Sequence, residues 1–338
     1  GLFLFYLIII WNEAYRVQKR YFSGDISKKN FILSNASFSL PALLPWFCLS
    51  IIADALGFLP WQPLKKILQT PAGEIGYIAL FLIAVTVFGP VLIKRIWNCK
   101  PLEQGLPRTM IENACKKADL KYSNILKWEL FGGTMITAGV MGLVGRFRYI
   151  LVTPALINSL NDDELISVIL HEIGHVKKHH MLFYLFFFAG FILCNFIFFE
   201  PLMLFLYIVE PVYQLFGLAG VEKTTAHSIL ISLSLVGIFV LYFRFVFGFF
   251  MRNFERQADL HVYNFTKDAS PLISTFYKIA SFSRQSIDTP NWHHYSIGQR
   301  VRFLERCQAT PALIQAHHLH VRKLVAGYFI LLVLLFGI

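Results

Sequence analysis

Long apolar runs alternate with short polar, basic segments along this chain, and several of the runs have the length of a bilayer crossing. A span needs about 20 mainly apolar residues. Residues 75–93, 181–199 and 228–250 meet that requirement most clearly. A fourth run, 38–61, is interrupted by Pro41, Pro45 and Asp54, and two more lie at the ends, at 1–11 and 324–338. Segment 201–219 is apolar but broken by Glu210, Pro211 and Gly217, which suits a short span, a re-entrant turn or an interfacial helix. The pattern predicts a mainly α, polytopic membrane protein of six or seven spans.

The intervening polar segments have periodicities of their own. Thr134–Met141 and Phe147–Thr153 are β-prone runs around the glycine-containing turn Gly142–Gly145, which predicts a hairpin. Asn161 followed by Glu164 reads as an N-cap with a capping-box acid, opening a helix whose apolar face is Leu165, Val168, Ile169 and Leu170. Past Lys177 and Lys178 this pattern runs into the span starting at Met181, so one continuous helix is expected to enter the membrane. The organisation is then N-terminal spans at 1–97, an extramembrane segment at 98–180, spans at 181–250, a second extramembrane segment at 251–323 and a last span at 324–338.

Composition agrees. The chain is 56% hydrophobic and 15% charged, with a mean hydropathy of +0.56, whereas soluble domains are about 45–50% apolar and about 25% charged. The lipid bilayer is therefore an expected partner, and the 34 Phe residues suit lipid-facing and bundle-core positions. The net charge of +11 does not indicate nucleic acid, because the basic residues cluster in loops beside apolar runs. Arg16, Lys19, Arg20, Lys28 and Lys29 crowd loop 12–36, while 62–74 holds only Lys65 and Lys66 and 200–227 only Lys223. Alternation through the spans then places 12–36, 94–180 and 251–323 on the cytoplasmic side. Asp54 and Arg244 lie within apolar stretches, where a charge marks either a function or the end of a span. The five cysteines (Cys48, Cys99, Cys115, Cys194, Cys307) are scattered, without disulfide-framework or metal-type spacing. The chain starts at Gly1 inside an apolar stretch, so the native N-terminus is expected to be missing.

The chemistry concentrates in His171-Glu172-Ile173-Gly174-His175. On a helix, residues four apart share a face, so His171 and His175 can bind one metal ion, with Glu172 beside them to activate water. A catalytic zinc site needs a third protein ligand and an open position. Met181 stands six residues after His175, where the metzincin pattern requires histidine. His179 is about a turn away and reads better as an interfacial residue. The stronger source is Asn253-Phe254-Glu255-Arg256-Gln257-Ala258-Asp259, in which Glu255 and Asp259 also lie four apart. One carboxylate can ligate the metal while the other orients a ligand histidine. The hairpin ahead of the metal helix either holds an extended substrate by strand addition or has no ligand role.

These motifs together resemble the membrane gluzincin family that includes the type 1 CAAX prenyl protease and the bacterial heat-shock protease HtpX. Leu165–Lys178 is similar to that family's active-site helix, and Phe254–Asp259 to its third-ligand motif, over a region from about Gly132 to Leu304. The resemblance implies a zincin-like metallopeptidase domain with a small β-hairpin or sheet. It implies one zinc ion per chain held by His171, His175 and Glu255, with Glu172 as general base and Asp259 as the orienting acid. His294 and Arg300 match the family's His-x5-Arg element, which implies active-site support; here Tyr295 stands where the family has proline, and His293 competes with His294. Thr137-Ala138 occupies the place of the family's substrate-binding Asn-Ala strand. Spans around the matched region are closer to the CAAX-protease branch, and Trp11–Tyr15 is weakly similar to it. The implied substrates are extended proteins or peptides, either prenylated C-terminal tails or damaged membrane proteins. The competing reading is a non-proteolytic zinc-binding scaffold or carrier, against which stands Glu172, a residue a carrier does not need.

Overall fold

The computed structural model describes residues 2–21, 27–58, 60–130, 135–208, 217, 220, 222–283, 286–289 and 291–336. The chain forms two compact units, Gly1–Ile173 and Gly174–Ile338, whose boundary falls inside a single helix.

The first unit begins with helices α1 (Leu2–Tyr21), α2 (Lys28–Phe58), α3 (Gln62–Leu68) and α4 (Pro71–Ile96). Then follow β1 (Lys100–Pro101), α5 (Leu106–Lys117), β2 (Asn124–Lys127), β3 (Ala138–Met141), β4 (Tyr149–Val152) and α6 (Pro154–Ser159). Helix α7 (Asp162–Lys177) closes the unit and continues into the second. The strands form one sheet in the order β1-β2-β4-β3, with β4 parallel to β2 and antiparallel to β3. All four residues of β4 are buried, as befits a central strand. β3 is an edge strand, and Gly142 turns the hairpin with φ +108°, where an added Cβ would stand 2.5 Å from the Phe147 carbonyl oxygen. The predicted hairpin is therefore present, but it belongs to a four-stranded sheet that also recruits β1 and β2. An aromatic stack ties this sheet to the end of α4. Trp97 and Trp128 stack at 4.5 Å, Trp97 Nε1 donates to Ser37 O (3.0 Å), and Lys94 Nζ donates to Tyr149 OH (3.1 Å).

The second unit holds α8 (His180–Ile208), α9 (Lys223–Leu241), a π-helical stretch (Tyr242–Phe247), α10 (Gly248–His261), α11 (Ser270–Ser283), α12 (Ile297–Ala309) and α13 (Ala312–Phe336). Its core packs Phe187, Phe250, Phe254, Val321, Val325 and Tyr328. Within that apolar interior Tyr242 OH donates to Phe187 O (2.7 Å) and shares a hydrogen bond with Tyr328 OH (2.7 Å).

Among the described residues, four helices are long and apolar enough to cross a membrane: Gly76–Ile96, His180–Phe205, Thr224–Asn264 and Ala312–Leu335. They overlap the runs read at 75–93, 181–199, 228–250 and 324–338, but the third extends to Asn264 and the last begins at Ala312, within the segment read as extramembrane. The protein is thus mainly helical, with a small sheet and several membrane-length helices. Runs 1–11 and 38–61 lie largely within α1 and α2. Two local expectations are corrected. Residues 201–208 continue α8 through Pro201 rather than starting a separate segment, while 209–216 lie outside the described residues. The metal helix does not run unbroken into the membrane: α7 ends at Lys177, His179 takes a left-handed φ of 58°, and α8 restarts at His180. All five cysteines are free thiols.

Candidate metal centre

Helix α7 starts where its polar residues require. Asn161 Oδ1 accepts from Glu164 N (3.0 Å), and Glu164 Oε2 accepts from Asn161 N (2.9 Å), a complete capping box. Ile169, Leu170 and Ile173 are buried along the helix, which sets the rotation that aligns His171 with His175.

The partner helix α10 ends a continuous 41-residue helical run, Thr224–Asn264. At 1.5 Å per residue such a run is about 60 Å long, about twice the thickness of a hydrocarbon core. Its C-terminal part is the polar one, so Glu255 and Asp259 can be carried clear of the lipid on an extension of a span. Contact between α10 and α7 is backbone-close. A Cβ added at Gly174 would meet His261 Cβ at 2.8 Å and Ala258 Cα at 2.9 Å. We expect Gly174→Ala to prise the helices apart, costing about 1–3 kcal/mol for overpacking and weakening metal binding. Thermal unfolding and metal titration of the purified variant would check both.

His171, His175 and Glu255 each offer a ligand atom, and these atoms all lie within 4.8 Å of one another. His175 Nε2 stands 3.4 Å from Glu255 Oε1, close to the tetrahedral edge of about 3.4 Å that metal–ligand bonds of about 2.1 Å generate. His171 and Glu255 are buried, at 8% and 5% exposure. Two imidazoles and a carboxylate, largely desolvated and mutually within coordination reach, are a donor set that can hold a metal ion. Glu172 is half-buried on the same helix.

Around Glu255 the remaining candidates assemble. His294 Nδ1 lies 3.0 Å from Glu255 Oε2, and Arg300 Nη2 lies 3.5 Å from the same oxygen. Arg300 reaches this point from α12, whose N-terminus is fixed by a capping box between Ser296 and Gln299. Its guanidinium donates twice to Asp259, Nε to Oδ2 (2.9 Å) and Nη2 to Oδ1 (2.6 Å), and sits 4.2 Å over the Phe276 ring. His293 packs against His294, ring centroids 4.1 Å apart. Burial, then the neighbouring His294, lowers the His293 pKa to about 4, with Glu255 opposing.

Thr137 and Ala138 lie on the sheet. Ala138 opens β3 opposite Val152, Thr137 N donates to Thr153 Oγ1 (3.2 Å), and Thr137 O accepts from Thr153 N (3.2 Å). His179 is exposed. The residue that sequence reasoning passes over is His180. Fully buried, it places Nδ1 2.9 Å from His175 Nδ1 and Nε2 3.1 Å from Gln257 Oε1. The signal available was its spacing, five residues after His175, which no straight helix brings to the same face.

Residues 101–324 match the model of peptidase family M48. The chain belongs to this family. CAAX prenyl protease 1 of Saccharomyces cerevisiae is 29% identical over 127 residues, covering 35% of this chain and 27% of that protein; the chain thus matches about a quarter of that relative's length. A crystal structure of S. mikatae Ste24p aligns with a TM-score of 0.50 at 16% identity, over 88% of this chain and 80% of that one, a likeness of fold. The His171–His175–Glu255 cluster, which can hold a metal ion, lies inside the residues matched to this peptidase family.

Proposed function

We propose that this chain is a multi-pass integral-membrane zinc metalloendopeptidase that hydrolyses extended protein segments from the cytoplasmic side. The observation that carries the reading is the convergence of His171, His175 and Glu255 ligand atoms within 4.8 Å. These residues would hold one zinc ion per chain. When bound, zinc supplies Lewis acidity, polarising the scissile carbonyl and lowering the pKa of water.

The chain's own groups do the rest. Glu172 takes the proton of the attacking water and delivers it to the departing amine. His294 donates toward the developing oxyanion. Arg300 and Asp259, joined by two hydrogen bonds, hold Glu255 in place. Edge strand β3, with Thr137 and Ala138 at its start, pairs with an extended substrate by strand addition. Six crossings are the four membrane-length helices together with the apolar runs 1–11 and 38–61; α2, at 31 residues, reaches about 46 Å, enough for a core of about 30 Å. Six crossings leave 12–36, 94–180 and 251–323 on one face, and its Lys and Arg excess assigns that face to the cytoplasm.

Substrates fall into two classes, prenylated C-terminal tails and damaged membrane proteins; the name of the yeast relative, a CAAX prenyl protease, speaks for the first. Detergent-purified protein should cleave a quenched extended peptide, lose the activity to a chelator and regain it with zinc. Prenylated and unprenylated versions of one peptide separate the substrate classes. Cleavage indifferent to chelation would overturn the proposal.

A further inference from the structure

We infer that His180 is a positioning residue for the metal centre, fixing the tautomer and orientation of His175 through a one-way hydrogen-bond chain that ends at His318. The inference rests on the reading of His175 as a metal ligand. The chain crosses four helices: His175 on α7, His180 on α8, Gln257 on α10 and His318 on α13.

The directions follow from the distances. His175 Nδ1 is engaged by His180 Nδ1 at 2.9 Å, so the nitrogen turned to Glu255 is Nε2, at 3.4 Å from Oε1. A ligating Nε2 must be unprotonated, which puts the His175 proton on Nδ1 and makes that nitrogen a donor. His180 Nδ1 must then accept, so His180 carries its proton on Nε2. That proton faces Gln257 Oε1 at 3.1 Å, an acceptor with no donor capacity. Fixing Oε1 toward His180 turns the Gln257 amide nitrogen away, where it lies 3.3 Å from His318 Nδ1. Every donor along the path meets an acceptor. A cationic His180 would set two N–H groups against each other at the His175 contact, so the chain requires His180 neutral.

Burial and packing make this arrangement rigid. His180 is 0% exposed, leaving no water to replace its partners. Its ring stacks on Phe254 at 4.4 Å and 8°, and Phe254 directly precedes Glu255. The break after α7 has a purpose in this scheme: the left-handed His179 reverses the progression of the helix so that position 180 faces back to His175. Ligating histidines generally hand their second nitrogen to a carboxylate, a carbonyl or water. A neutral imidazole holds the ring as firmly without adding a negative charge beside the metal.

Zinc affinity, measured by chelator competition on the purified full chain, tests the inference without relying on activity. His180→Phe keeps the stack on Phe254 and removes both hydrogen bonds, whereas His180→Asn places a carboxamide oxygen near the lost Nδ1. We expect His180→Phe and His180→Ala to weaken zinc binding about 10–100-fold, the cost typical of losing such a partner. His180→Asn should recover most of the affinity, and the metal-free thermal midpoint of His180→Phe should stay close to that of the parent. Parent-like affinity in His180→Phe, or equal weakness in Phe and Asn, overturns the positioning role. Should substitutions at 180 fail to fold, Gln257→Leu, which removes the acceptor one link further, must weaken zinc binding in the same direction. His175→Ala serves as the control: if it leaves zinc binding intact, the ligand assignment itself fails, a result distinct from either outcome at His180.

Discussion

Glu172→Gln will abolish peptide hydrolysis while leaving the metal in place. The substitution keeps side-chain volume and a hydrogen-bonding terminus but replaces a carboxylate, which can hold a proton, with an amide, which cannot. Glu172 follows His171 on α7 and is not one of the three clustered ligand residues, so the donor set survives. Loss of a positioned general base costs about 10²–10⁴-fold in rate. Two readouts on the same purified sample decide the matter: kcat/KM on a quenched peptide, and bound zinc per chain. A collapse of the first with an unchanged second assigns the proton-transfer role to Glu172. Undiminished turnover would remove it from the mechanism, and loss of zinc would make it a ligand.

Why Glu172, His171 and His175 were legible in the sequence, and His180 was not, follows from helix periodicity. Residues one and four apart on α7 have relative positions fixed by the helix itself, and the Asn161–Glu164 capping box marks where that helix begins. Glu255 and Asp259 are likewise one turn apart on α10. His180 comes after a left-handed residue, and a single reversed φ changes the direction of everything that follows. Nothing in Lys177-Lys178-His179-His180 announces that reversal, since neither glycine nor proline is present. The spans at 76–96 and 180–205 were readable because about 20 apolar residues are required of any crossing. The sheet was only half readable. The hairpin of β3 and β4 is local, its strands joined through residues 142–148 with Gly142 at the first bend, but β2 pairs in parallel with β4 across an intervening strand. Such a pairing depends on a long connection rather than on any motif. Strands of two and four residues leave too few alternating positions for a period to emerge.

Removing Asp259 should be the most destabilising single change near the site. Arg300 is 11% exposed and Asp259 1%, and the pair is bidentate at 2.6 and 2.9 Å. A buried pair of this kind adds modest net stability relative to an apolar replacement, because desolvation offsets the attraction, but losing one partner strands the other charge. Asp259→Ala leaves the guanidinium of Arg300 pressed on Phe276 without its bidentate acceptor, at a cost of about 3–5 kcal/mol. The nearest compensation is Glu255, whose Oε2 already lies 3.5 Å from Arg300 Nη2. A guanidinium drawn to that oxygen competes with the metal for the carboxylate, so zinc affinity should fall along with stability. Asp259→Asn retains one acceptor oxygen and should lie between the parent and the alanine variant on both scales. Arg300→Met combined with Asp259→Leu removes both charges and should regain much of the stability lost in Asp259→Ala, while His294 and Glu255 lose the group that braces them. Thermal midpoints of the four proteins, read in detergent with and without zinc, separate these effects. For a folded unit of this size, 3–5 kcal/mol corresponds to a drop on the order of 10 °C. If Asp259→Ala melts with the parent, the pair is not the brace described; if the double variant melts as low as Asp259→Ala, stranded charge is not the cause.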